Sequence, residues 1–302
     1  MRHGISYLAV LAALALVAGS AVPMAGHAQQ APAAPPGAAA APPTEPKAVA
    51  PIEPKAAASI EPKAAASIEP KAVEILKAAC DKLAGTAAMS FTAVNTYEKA
   101  ARNGQPLYYT TLNQVTLQRP DKLRVITPGD GTADEFYYDG KSMMAYVPSE
   151  DLVAVAEAPP TVDQMLDVAW DKAAIYFPFA DVIVSKPCAV FEEDGMNSAF
   201  YVGQSKVIGG TTTDMVAVAG DNVQAELWIG AQDHLPRLIR VVYPHEPAHA
   251  LYQTEYSDWH LAGIGGPEIF TSAKATKGKP MPFAPPGAGD QKPAPGAAPQ
   301  QR

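Results

Sequence analysis

Residues 119–159 read RPDKLRVITPGDGTADEFYYDGKSMMAYVPSEDLVAVAEAP, and they carry the clearest pattern of secondary structure in the chain. Four short runs within it are rich in Tyr, Phe, Val and Met, and each run ends at Pro, Gly or Asp. This pattern predicts four strands, at 123–127, 135–138, 142–147 and 152–156. Asp139-Gly140 predicts a two-residue turn of the type that needs positive φ at both central positions. The stretch is therefore an antiparallel meander, and it contains neither a Gly-rich phosphate loop nor a nucleophile elbow.

The same alternation of short strands and turns continues on both sides of the meander. It predicts seven more strands, at 89–97, 107–117, 198–204, 214–219, 223–229, 238–243 and 250–259. Apolar residues at helical spacing predict a helix over 73–83 and a second over 161–175, for which Thr161 is the expected N-cap. A short helical or irregular piece is expected at 179–184. About eleven strands with two or three helices predict an α+β, mostly β fold built on a strongly curved antiparallel sheet.

Several motifs of this sheet carry a resemblance. They are RPDKLRV at 119–125, YYDGKSMMAYVP at 137–148, LPRLIRVVY at 235–243 and YSDWHL at 256–261. Over residues 68–261 the chain resembles a domain-of-unknown-function family of predicted periplasmic proteins, which is similar to the LolA/LolB lipoprotein-carrier fold. The resemblance implies a half-barrel with the helices packed in its concave side, as a lid over an apolar cavity.

The two ends of the chain differ from this domain. Residues 1–28 resemble a secretory signal peptide, with an apolar run at 7–18 and a predicted cleavage site after Ala28, so we expect export to the periplasm. A retained N-terminal anchor is the alternative. Residues 29–67 form an Ala/Pro-rich linker in which IEPKAAAS occurs twice, at 52 and 60, and a further copy, IEPK, opens the first helix. The predicted domain covers 68–270, followed by a Pro/Gly/Ala-rich tail over 271–302 that we expect to be disordered.

The charge of the domain excludes some partners. Residues 72–267 hold 13 Lys and Arg against 25 Asp and Glu, a net charge of −12. A charge of this sign argues against nucleic acid and against an anionic membrane surface. No stretch after the signal peptide is apolar for as long as a bilayer-spanning helix requires, so we do not expect an integral membrane protein.

The chain has two cysteines, Cys80 and Cys188. In an oxidising compartment they could form one disulfide, which would close a loop of about 108 residues. The alternative is two buried free thiols. A redox-active pair is not expected because the cysteines do not form a C-x-x-C motif.

A catalytic site is not expected from this sequence. His245-Glu246-Pro247-Ala248-His249 matches the H-E-x-x-H motif of zinc hydrolases, but that motif must lie on a helix. Here it follows a strand and contains Pro247, so a loop between two strands is the favoured interpretation and a zinc hydrolase is a remote alternative. No other group of side chains combines a nucleophile, a base and an orienting residue, and no cofactor is expected.

The aromatic and sulfur-containing side chains of the strands indicate a different role. Adaptable Met and amphipathic Tyr are typical linings of apolar pockets, although they also fill ordinary cores. We take the cavity to be lined by Phe91, Tyr109, Phe136, Tyr138, Met144, Tyr146, Leu227 and Ile239. The sequence therefore predicts a non-enzymatic periplasmic binding protein for a lipid, an acyl chain or an acylated lipoprotein. The alternative is an envelope protein–protein module, because the resemblance extends to envelope-stress regulators of this fold.

Overall fold

The computed structural model describes residues 67–129, 133–189, 191, 195–245 and 251–285. Three α-helices lie in this part of the chain: α1 (Pro70–Ala84), α2 (Val162–Ala173) and α3 (Ala180–Ile183). Helix α1 begins with a proline in its first turn and ends at Gly85. Helix α2 begins at Thr161, whose side-chain oxygen accepts a hydrogen bond from the backbone N–H of Gln164 at 3.3 Å, so the predicted N-cap is confirmed.

One curved, open sheet forms most of the fold. Its twelve strands in the described residues are β1 (Ala88–Ala100), β2 (Pro106–Gln118), β3 (Lys122–Thr127), β4 (Asp134–Tyr138), β5 (Ser142–Val147), β6 (Leu152–Glu157), β7 (Ser198–Ser205), β8 (Thr213–Ala219), β9 (Gln224–Gly230), β10 (Pro236–Val242), β11 (Leu251–His260) and β12 (Lys279–Met281). Their order across the sheet is β12-β6-β5-β4-β3-β2-β1-β11-β10-β9-β8-β7. The chain therefore makes two meanders, β1–β6 and β7–β11, which join where β1 pairs with β11. The predicted mostly-β architecture with few helices, built on one curved sheet, is confirmed.

The twelfth strand was not expected, because the sequence predicts a disordered tail from residue 271. That prediction is wrong for residues 271–285. A 3₁₀ turn at Ala275–Lys277 leads into β12, which pairs in parallel with the edge strand β6. Ala275 is fully buried beside Tyr146 and Val153. The proline in β12 is tolerated because this strand lies at the edge of the sheet, where one row of backbone groups needs no partner.

The turn between β4 and β5 also differs from the prediction. Gly140 takes a positive φ of 88°, whereas Asp139 is not among the residues of positive φ. The side chain of Asp139 instead accepts hydrogen bonds from the backbone N–H groups of Lys141 and Ser142, at 2.9 and 2.8 Å. The aspartate thus stabilises the turn through its carboxylate and not through its own backbone conformation.

Two hydrophobic cores lie on the same sheet. The first joins β1–β5 to α2 and α3, and its largest members are aromatic and sulfur-containing side chains such as Phe91, Met143 and Phe179. The second joins α1 to β7–β10 through smaller side chains such as Ala72, Ala79 and Val216. Arg119 joins the segments at Thr86 and Val184, because its guanidinium donates hydrogen bonds to their carbonyl oxygens at 3.3 and 2.9 Å.

No helix in the described residues combines the length and the apolar character that crossing a membrane requires.

Candidate ligand cavity

An apolar cavity lies between α1, the segment around α3, and strands β9 and β10. Its volume is about 60 Å³. Four residues of α1 form one wall, and β9 and β10 form the wall opposite. Its lining residues are Leu76, Ala79, Cys80, Leu83, Asp181, Val182, Pro187, Phe191, Val223, Ala225, Leu227, Ile229, Pro236, Ile239 and Val241.

The helical wall follows from the spacing of apolar residues in α1. Leu76, Ala79 and Leu83 recur at intervals of three and four, so one face of the helix points at the sheet. Ala79 lies in the middle of this face and contributes only a methyl group. Its small side chain leaves space between the helix and the facing strands.

The sheet wall follows from alternation along one strand. Val223, just before β9, and Ala225, Leu227 and Ile229 within it all line the cavity, while Gln224 and Glu226 are exposed on the other face. Ala225 stands opposite Val241 of β10 in the register of the two strands. Small and branched side chains on this face cannot fill the distance to α1, which is why the cavity lies here.

A disulfide joins two sides of the cavity. Cys80 of α1 is bonded to Cys188, and their Cα atoms are 5.8 Å apart. Cys80 and Pro187 both belong to the cavity lining. The bond therefore holds α1 against the segment that follows α3, and it limits how far this side of the cavity can open.

Asp181 is the titratable side chain among the described lining residues. It belongs to α3, and its neighbours Ala180 and Val182 are buried. The side chain keeps some accessible surface because it borders the cavity, yet it lies deep in the protein. Burial away from water disfavours the charged form and raises the pKa of Asp181 to about 6.

Two tyrosines lie near this carboxyl group. Tyr176 precedes α3 and Tyr256 belongs to β11. Burial is the main reason that the pKa values of both phenols are raised, and the negative charge of Asp181 raises them further. Both phenols are therefore neutral at physiological pH, so Asp181 is the side chain of this group that changes charge.

The structure distributes the eight predicted cavity residues over several places. Leu227 and Ile239 line the cavity described here. Phe91, Phe136 and Tyr138 lie in the first hydrophobic core, and Tyr146 lies with Met144 at the cluster beneath Ala275. Tyr109 is 46% exposed on β2, where its ring stacks on Tyr97 at 5.6 Å.

The aromatic face of the sheet is filled by its own rings. Phe136 meets Phe177 at 5.0 Å between ring centroids, Phe91 meets Phe179 at 5.9 Å, and Trp259 meets Phe91 at 4.5 Å. These rings pack against each other at centroid distances of 4.5–5.9 Å. Most of the described cavity lining was not predicted, because the pattern of large side chains does not indicate a space that lies where side chains are small.

The H-E-x-x-H motif lies mostly outside the described residues. His245 is described, and its Nε2 atom is 2.9 Å from the carbonyl oxygen of Asp221. Residues 246–250, which include the second histidine, are not described. The strands on either side of them, β10 and β11, pair antiparallel with Val242 opposite Leu251. In the described part of the chain, no group of three or more His, Cys, Asp or Glu could hold a metal ion.

Comparison with known proteins gives a family match. The family model "Predicted periplasmic protein (DUF2092)" matches residues 72–284. No curated protein matches the chain.

Three solved structures are among those that match the chain. The MucA/MucB complex of Pseudomonas aeruginosa matches at 14% identity and a TM-score of 0.38, covering 68% of this chain and 62% of that chain. An uncharacterised conserved protein from Thermus thermophilus matches at 13% identity, 70% and 99% coverage and a TM-score of 0.39. A LolA superfamily protein from Nitrosomonas europaea matches at 12% identity, 67% and 97% coverage and a TM-score of 0.32. The chain spans 60–64% of the length of the MucB structures it matches.

Proposed function

The chain belongs to the DUF2092 family of predicted periplasmic proteins, and we propose that it is a non-enzymatic binding protein that holds an apolar chain between α1 and the sheet. The observation that carries the proposal is the cavity lined by α1, β9 and β10. It lies where a ligand would be enclosed by both a helix and a sheet, and nearly all of its described lining is apolar. Lipids, free acyl chains and acylated proteins all supply such a chain.

The driving force is transfer of the chain from water to this surface. Burial of apolar area contributes about 25 cal/mol per Å² before the entropic cost of association is subtracted. Each methylene group that enters the cavity therefore contributes about 0.8 kcal/mol. Affinity should rise with chain length until the enclosed space is full.

The cavity is small for a complete lipid. At about 60 Å³ it has room for about four water molecules, each of which needs 10–15 Å³ on this scale. The end of one chain fits, and the rest of the ligand would extend outward or would require α1 to move away from the sheet. A short-chain probe is therefore the sharpest test of the protein as it stands.

Binding of 1-octanol, followed by isothermal titration calorimetry, tests the proposal. We expect binding with a negative heat-capacity change, which accompanies burial of apolar surface. Ala225→Phe would fill the cavity and should weaken octanol binding by about tenfold or more. Gln224→Phe is the matched control, because the adjacent residue faces away from the cavity. Equal affinities for the two variants, with both shown by circular dichroism to be folded, would contradict the placement of the site.

The edge strand β7 favours a second candidate function. Within the described residues, its outer side meets the segment before α1 through the bridge between Ile68 and Ala199 and through the hydrogen bond that the N–H of Tyr201 donates to the carboxylate of Glu69. Beyond this bridge Phe200 and Val202 are 44% and 50% exposed. An extended segment of a partner protein could add to this edge as a further strand.

Affinity capture from an envelope extract tests this second candidate. We expect Val202→Lys to weaken the capture of any partner that pairs with this edge of β7, because it places a charge in the exposed apolar pair and lysine on an edge strand opposes the addition of a further strand. The same variant should keep its affinity for octanol. A partner retained by Val202→Lys would place the protein interface elsewhere on the molecule.

A further inference from the structure

Asp181 gives the cavity a chemical preference that its apolar walls do not. Among the described lining residues it is the one charged side chain, and the others offer no side-chain hydrogen-bonding oxygen or nitrogen. Within the described part of the chain, its carboxylate has no hydrogen bond or ion pair. A carboxylate in such surroundings lacks the donors that normally stabilise it.

The groups around Asp181 do not supply this missing donor. The walls from α1, β9 and β10 are apolar, and no lysine, arginine or histidine is among the described lining residues. Tyr176 and Tyr256 are the titratable groups close enough for the charge of Asp181 to affect them. Neither phenol forms a hydrogen bond with the carboxylate in the described structure. The carboxylate therefore has acceptor capacity that a ligand can use.

We propose that Asp181 is a specificity-determining residue that selects apolar chains carrying a hydrogen-bond donor, of which an alkylammonium is the best match. The proposal rests on the cavity function proposed above. The two parts of such a ligand would bind at the same time. Its apolar chain would contact the wall formed by α1 and β9, and its hydrogen-bond donor would bind to the carboxylate of Asp181. An anionic headgroup would bring a second negative charge into a region of low dielectric constant and would be rejected.

Three probes with the same eight-carbon chain test this preference by calorimetry: octylamine, 1-octanol and octanoate. At pH 7.5 we expect octylammonium to bind about tenfold more tightly than octanol, because charge-assisted hydrogen bonds are the stronger class. Octanoate should bind more weakly than octanol. The burial-raised pKa of Asp181, about 6, adds a second readout: at pH 5 the carboxyl is about nine-tenths protonated, so octylammonium should bind about tenfold more weakly than at pH 7.5.

Asp181→Asn is the decisive variant, because it keeps the size of the side chain and removes its charge. It should reduce octylamine affinity to about that of octanol, and it should abolish the dependence on pH. Asp171→Asn, at an exposed position of α2, is the control for general attraction between the cationic probe and this acidic protein. It should behave as the unmodified protein does.

The outcomes separate the two proposals. If octanol binds but octylamine binds no more tightly, or if its advantage survives Asp181→Asn, the role of Asp181 is overturned while the cavity function stands. If neither octanol nor octylamine binds the unmodified protein, the cavity function itself fails. Tight, pH-dependent octylamine binding that Asp181→Asn removes supports the proposal.

Discussion

The carboxyl group of Asp181 lies in apolar surroundings, which disfavour its charged form in the folded protein. This group loses water on folding and gains no partner among the described residues. The folded state therefore favours the protonated form more than the unfolded state does, and the pKa rises. The folded-state pKa of about 6 lies above the ordinary value of 3.8. The folded protein is therefore destabilised by this group above pH 6, and the effect disappears as the pH falls below 4.

Replacement of Asp181 by asparagine should consequently stabilise the protein at neutral pH. We expect the free energy of unfolding to rise by about 1–3 kcal/mol at pH 7.5 and to change little at pH 4. Thermal unfolding at the two pH values measures this, since each kcal/mol corresponds to roughly 2–4 °C in a domain of this size. Asp171→Asn should leave the melting temperature unchanged at both. A loss of stability in Asp181→Asn at pH 7.5 would mean that the carboxylate has a stabilising partner.

The sequence around Asp181 indicates an unusual position for an acidic residue, although the aromatic residues were given more weight in the prediction of the cavity. Residues 177–184 read FPFADVIV, and one acidic residue stands alone in this apolar run. An isolated charge of this kind indicates either a turn or a buried functional group. Alternation along a strand specifies the face on which a side chain lies, and Leu227 and Ile239 face the interior of the protein. Alternation does not specify whether that face is filled, which depends on the distance to the opposite wall.

For the secondary-structure elements, the periodicity of apolar residues was sufficient to predict most of the fold. All eleven predicted strands are present, and their bounds differ from the prediction by at most three residues. Strand β12 was missed because three residues around a proline carry no alternation. The position of β12 depends on its pairing with the edge of β6 and on the buried contact of Ala275. Neither interaction can be predicted from the residues of β12 themselves.

The pairing of β12 with β6 predicts different effects for two C-terminal truncations. Removal of the residues after 285 should leave the melting temperature unchanged. Removal of the residues after 270 should lower it by several degrees, because it uncovers Tyr146 and Val153 and exposes the edge of β6. Thermal unfolding followed by circular dichroism distinguishes the two. Equal melting temperatures for both truncated proteins would show that residues 271–285 contribute no stability.

The disulfide between α1 and Cys188 should affect both stability and ligand exchange. By chain entropy, removal of a crosslink that closes a loop of this length costs at most about 4–5 kcal/mol. Cys80→Ala with Cys188→Ala should lower the melting temperature and should also accelerate octanol exchange, because α1 can then separate from the opposite side of the cavity. NMR line shapes of the ligand measure the exchange rate.

Leu117→Ala is the matched control for this effect. Leu117 is fully buried in the first hydrophobic core, away from the described cavity lining, and its truncation should cost about 2–5 kcal/mol. It should therefore destabilise the protein to a similar extent without changing octanol exchange. If both variants accelerate exchange equally, ligand entry depends on general stability and not on the crosslink.

The described cavity lining and the buried residues of both hydrophobic cores lie between residues 72 and 256 of the chain. Residues 67–69 already belong to the sheet, because the N–H of Glu69 donates to the carbonyl oxygen of Ala199 at 2.8 Å and Glu69 accepts from the N–H of Tyr201 at 3.0 Å. The last copy of the IEPK repeat is thus part of the domain. The earlier copies have the same letters, but only the last is followed by the apolar pattern of α1.

A fragment covering residues 67–285 should therefore behave as the full chain does. We expect the same melting temperature within about 2 °C and the same octanol affinity within about twofold, because every described contact of the cavity lies inside these limits. A fragment that starts at residue 72 is the control. It loses the hydrogen bonds of Glu69 and the contact of Lys71 with the ring of Tyr201, so it should melt at a lower temperature. If fragment 67–285 binds octanol much more weakly than the full chain, the Pro-rich ends take part in binding. The prediction that residues 29–67 are only a linker would then be wrong.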